Sequence, residues 1–304
     1  MLGLVACGEP LPVEEVERAP GNFLAGIDET HPIPDRPGFY RKEILSRGYQ
    51  LEPWRVNVHT EPFRVNPFSR EEDVWVTNWH SNTENEQGER EPDDIHCHAI
   101  FAMDPVLQDD AQDFRGLFTD GFSPAFTLPE GFAVRIRKNE RMMFQPMFNN
   151  RRPTTRVARM RLLVDYVPDS KRTREYTELR ASVLRVSKRD LYWVEPGQID
   201  RRQREVGAPF QGRIHAIGAH LHPYGELVEM ERIRDGHVIA SLRMHHAKKL
   251  EEERLDILHF PKGLYVRRGE MLRILTVYNN TSDEKIDAMG GLYVLYDPNG
   301  KPDA

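Results

Sequence analysis

The sequence predicts an all-β fold, a sandwich or jelly roll, on three observations. Helical periodicity is scarce, short β-rich runs alternate with turn signals, and two such runs meet at the hairpin turn Asp235-Gly236. Strands of a first unit are expected at 54–58, 73–79, 95–103, 132–137 and 156–167. Strands of a second are expected at 213–222, 227–234, 237–244, 271–278 and 291–296. The segment 248–258 has room for a turn or two of helix, and 196–206 suits either structure. The charged stretch 168–174 separates the units, giving a first domain of 25–172 and a second of 173–304.

A chain of 304 residues allows two ordinary domains or one large β domain, and 39% hydrophobic with 30% charged residues describes a folded body. The net charge of −6 is spread through the chain, which argues against a nucleic-acid surface. The arginine-rich stretch 135–161 alternates with Val, Met and Leu and reads as solvated strand faces. The two cysteines are Cys7 and Cys97. Leu4-Val5-Ala6-Cys7-Gly8 has the form of a bacterial lipobox, although a basic region and a full apolar region do not precede it. Pro- and Glu-rich sequence follows, so 1–24 is expected to be a lipobox-like start and flexible tether. This places the protein at the bacterial periplasm or cell envelope, held through lipid on Cys7, since no stretch is long enough to span a membrane.

Residues two apart on a strand share a face. Ala216, Gly218, His220 and His222 therefore project together, and Ile217, Ala219 and Leu221 face the opposite side as core. Two imidazoles on a face of small residues leave room for an ion. Imidazole suits copper, zinc, iron and nickel, and a thioether such as that of Met289 tilts the choice to copper. Gly290-Gly291 follows and permits close backbone approach. The first half repeats the theme: His96 and His98 share a face, Cys97 is expected to point away, and Met147 is a third donor from a neighbouring strand. The plainer alternative is that such histidine pairs are hydrogen-bonded and such methionines fill the core.

His220-Leu221-His222-Pro223-Tyr224-Gly225 resembles the copper type II, ascorbate-dependent monooxygenases, which include peptidylglycine hydroxylating monooxygenase and dopamine β-monooxygenase. The resemblance continues through His259-Phe260-Pro261, Arg268-Gly269-Glu270, Val277 to Thr281 and Asp287-Ala288-Met289-Gly290. Asp94 to Phe101 and Phe144 to Asn149 carry a fainter likeness in the first half. The family fold it implies is a pair of jelly-roll domains, each with one copper, facing each other across a solvent-filled cleft. His220, His222 and Met289 would hold an oxygen-binding copper, and His96, His98 and Met147 a copper that takes electrons from ascorbate or another reductant. Two departures stand out. Cys97 occupies the place of one of two adjacent histidines, and Gly218 that of an arginine that grips a peptide carboxylate.

Two functions follow as expectations. One is a copper monooxygenase-like protein that hydroxylates a small substrate with oxygen and a reductant. The other is a non-catalytic copper-binding or assembly protein of the envelope that keeps the fold. A metal-free interaction scaffold is the third possibility.

Overall fold

The computed structural model describes residues 26–65, 68, 71–103, 111–123, 125–187 and 191–303. Cys7, the lipobox-like sequence and the expected tether lie outside them. The described residues form an all-β protein whose helical content is three short 3-10 turns. No helix among them is long and apolar enough to cross a membrane.

In the first half two antiparallel sheets enclose a core. One sheet is built on Arg156–Pro168, flanked by Tyr40–Leu45 and Val74–Glu84, with Gly26–Pro32 and Phe132–Ile136 further out. The other runs Arg55–His59, Met142–Asn150, His96–Met103, Gly116–Asp120. The second half repeats the plan. One sheet runs Leu258–Val266, Gly212–Leu221, Gly290–Asp297, Arg180–Arg185, Ala111–Phe114; the other runs Ile199–Gly207, Met271–Asn279, Gly225–Arg232, His237–His245, Arg254–Leu255. A turn over 233–236, ending in Asp235-Gly236, joins Gly225–Arg232 to His237–His245, with Gly236 at φ 65, the left-handed region glycine adopts without strain. Segment 248–258 holds a 3-10 turn at Leu250–Glu252 and then the strand Arg254–Leu255. Pairing of His245 with Arg254 draws that stretch into the sheet.

The halves exchange strands. Ala111–Phe114 extends the second half's sheet, and Thr177–Glu178 pairs in parallel with Phe132–Ile136 of the first. The sheet carrying Gly212–Leu221 and Gly290–Asp297 is consequently buried on both faces. Tyr293 and Leu295 join the first half's core, and Leu292, Val294 and Tyr296 join the second's. That is why Gly290–Asp297 reads as an unbroken apolar run rather than an alternating one. Each Leu or Val buried there contributes roughly 1.5–3 kcal/mol relative to leaving it in water.

The same packing aims the histidines. A register irregularity between Ile214 and Ala216 sets Ile214, Ile217, Ala219 and Leu221 toward the second core and Ala216 toward the first. Beyond it the alternation continues, so Gly218 and His220 face the first half. Several arginines of 135–161 are ion-paired, among them Arg135 with Asp73, Arg156 with Glu91, and Arg159 and Arg161 with Glu84.

Candidate metal centre

His220 and His222 stand where Gly212–Leu221 ends against the first half, both buried, with ring centroids 5.0 Å apart. Each is held at Nδ1 by a carboxylate from a different strand. Asp120 of Gly116–Asp120 takes the His220 ring, and Asp287 takes the His222 ring at 2.5 Å. A carboxylate at Nδ1 makes that nitrogen the donor and leaves Nε2 as a bare acceptor. His220 is 2% exposed, and its Nε2 has no hydrogen-bond partner. A buried, unpaired imidazole nitrogen whose other nitrogen is oriented by a carboxylate is the arrangement of a metal-ligating histidine.

Asp287 also accepts two bonds from the Arg151 guanidinium, at 2.9 and 3.1 Å, so a first-half arginine fixes a second-half carboxylate. Burial opposes ionisation of Asp287, but His222 and Arg151 more than offset it and hold the carboxyl well below its usual range. Burial likewise lowers His222, against the pull of Asp287, so the ring is neutral near pH 7. The Tyr278 hydroxyl fastens the backbone around it. It accepts from the amides of His222 and Met289, at 2.8 and 3.2 Å, and donates to the Met289 carbonyl.

The first-half strand is bent by a β-bulge. Met147 pairs with His98 and Phe148 with His96, so Cys97 is the extra residue. Strict alternation would turn Cys97 away from the neighbouring histidines. The bulge instead sets its Sγ 3.2 Å from His98 Nδ1 and 3.6 Å from His222 Nε2. His96 takes the other direction, within 3.4 Å of the Ser81 and Thr119 hydroxyls, and burial, with His220 and His80, pushes its pKa down to about 3. His98 faces the interface, its ring centroid 4.7 Å from that of His220, and burial pushes its pKa well down.

The two expected ligand sets thus meet in one neighbourhood. His98 and Met147 from the first half, and His220 and Met289 from the second, line a single recess of about 240 Å³ between the halves, with His59 and Arg185 at its walls. His96, Cys97 and His222 are not among its lining residues. Donor atoms of Cys97, His98 and His220 all lie within 4.8 Å of one another.

Cys97, His222 and Asp287 also stand in the order nucleophile, base, orienting acid. Cys97 is 3% exposed, however, and burial with the nearby Asp120 and Asp287 raises its thiol well above the ordinary value. An activated nucleophile needs the opposite.

Sequence reasoning missed Cys97, Asp120, Arg151, Tyr278 and Asp287 as site residues. Asp287 was the legible one, two places before Met289; the others arrive by strand pairing and carry no spacing signal. At Gly218, a Cβ would come within 3.1 Å of the Phe126 ring, so the place of an arginine is already filled. At Gly290 a Cβ would collide with Thr276, the close approach that the Gly-Gly pair suggested.

Comparison with family models and with curated proteins gives no match. Among solved structures, one described as "Crystal Structure of the STIV MCP" covers 86% of this chain and 97% of its own at 9% identity and a TM-score of 0.39, a likeness too slight to argue from.

Proposed function

We propose that this chain is a copper protein with one ion held between its two halves, with the His220 imidazole as anchor and His98 beside it. The observation that carries this reading is the His220 ring: oriented by Asp120 at one nitrogen, buried, and without a partner at the other. Neutral imidazole and the thioethers of Met147 and Met289 around the recess favour copper, in its Cu(I) form, over harder ions. Anaerobic titration of the purified protein with Cu(I) against a chromophoric chelator tests it. One copper per chain is expected, lost in His220→Ala. No binding by the wild-type protein, or equal binding by the variant, overturns it.

The recess itself favours a second, catalytic reading. His59, Gln145 and Arg185 on its walls give it polar groups to meet a small substrate, and bound copper would supply oxygen activation there. Gln145 and Arg185 would orient that substrate. The resemblance to ascorbate-dependent monooxygenases points the same way. Oxygen uptake by the copper-loaded protein with ascorbate and small candidate substrates tests this reading, and uptake that no substrate raises counts against it. The lipobox-like sequence at Cys7 supports a place at the cell envelope for either role.

A further inference from the structure

Resting on that copper reading, we propose that Cys97 is a thiolate ligand of the same ion, completing a Cys97–His98–His220 donor set that spans both halves. Three observations carry it. The β-bulge at Cys97 spends an extra residue on turning its side chain toward the interface, where alternation would turn it away. Its Sγ then lies with donor atoms of His98 and His220 inside 4.8 Å, the spread of ligands around one ion. His220 is 2% exposed, and its buried Nε2 has no hydrogen-bond partner.

In the metal-free protein burial, with the nearby Asp120 and Asp287, keeps the Cys97 thiol protonated, so the thiolate forms only as the ion binds. On binding, the Sγ–H bond breaks, an Sγ–copper bond forms, and the proton leaves to solvent. No electron moves. Two imidazoles and a thiolate would make a soft donor set, suited to keeping or relaying Cu(I).

The test uses Co(II) as a spectroscopic probe alongside Cu(I), on the full chain carrying Cys7→Ser so that Cys97 is its one thiol. Co(II) bound to thiolate shows an intense near-ultraviolet charge-transfer band that imidazole and thioether do not give. The band is expected in this protein and absent in the further variant Cys97→Ser, with Cu(I) affinity lowered roughly 100-fold or more, at least the upper end of what outer-shell groups cost. The reading of the first protein does not depend on whether the second folds. Cu(I) binding that His220→Ala abolishes, with no charge-transfer band in the Cys97 protein, overturns the thiolate and leaves the copper reading standing. A band that persists in Cys97→Ser overturns it as well. Failure to bind either metal removes both proposals together.

Discussion

Arg151 and Asp287 come from opposite halves of the molecule and meet through two parallel hydrogen bonds of 2.9 and 3.1 Å. Asp287 passes that constraint to His222, so the orientation of a second-half histidine depends on a first-half arginine. Asp120 does the same for His220 in the reverse direction, from a first-half strand to a second-half ring. The interface between halves and the candidate metal centre are thus one set of interactions.

Removing one partner of the buried pair leaves the other charge unpaired. Arg151→Met should cost about 3–5 kcal/mol of stability, and Asp287→Asn a similar amount. The double variant Arg151→Met/Asp287→Asn should lose clearly less than the sum, because neither charge is then stranded. Urea denaturation of the four proteins measures the coupling. Strict additivity would mean that the pair does not interact.

Tyr278→Phe deletes a hydroxyl that serves two amides and a carbonyl. With those groups left buried and unpaired, the loss should be about 1–3 kcal/mol or more. Copper affinity should fall too, because the same hydroxyl fixes the backbone of His222 and Met289. Thermal melts with and without copper separate the two effects.

Gly290→Ala forces a methyl into Thr276, whereas the same change at Gly291 meets the Leu184 carbonyl at 3.3 Å and can be relieved by a small shift. The first should cost about 1–3 kcal/mol, as overpacking does, and the second less. Thr276→Ser, which removes the colliding methyl, should recover part of the loss at Gly290→Ala. Chemical denaturation gives the ranking, and a reversed order would contradict the packing.

Acid should destabilise the metal-free protein below the ordinary histidine range. His96 is held neutral down to about 3, whereas in the unfolded chain it protonates near 6.5. Between those values the unfolded state binds more protons, so stability is full above 6.5 and falls as pH drops toward 3. His98 and His222 are lowered as well and act in the same direction. His96 alone sets an upper limit of about 5 kcal/mol. Denaturation midpoints for wild type and His96→Gln between pH 7 and 4 check it. A wild-type slope that the variant reproduces would assign the effect to other groups.

Asp120→Asn keeps a hydrogen-bond acceptor at His220 but removes the charge. Copper affinity should drop about 10–100-fold, the usual effect of altering a carboxylate behind a ligating histidine. Competition titration reads this directly, and rescue by Asp120→Glu would distinguish positioning of the ring from general damage.

The local sequence determined the strands that build the centre. Gly212–Leu221, His96–Met103 and Gly290–Asp297 were each legible from β-rich composition and turn signals, and His220 and His98 from their alternation with core residues. Tertiary structure alone decided what those residues face. Strand exchange through Ala111–Phe114 and Thr177–Glu178 packs the halves into contact, which turns two expected ligand sets into one neighbourhood. The bulge at Cys97 exists only relative to its partner strand, because an extra residue is defined by the register of Met147 and Phe148 against it. Asp120, Arg151 and Tyr278 reach the site across pairings tens of residues apart in the chain. Alternation along a strand fixes which side chains share a face, whereas the identity of the opposing surface is set by the burial of both faces of one sheet.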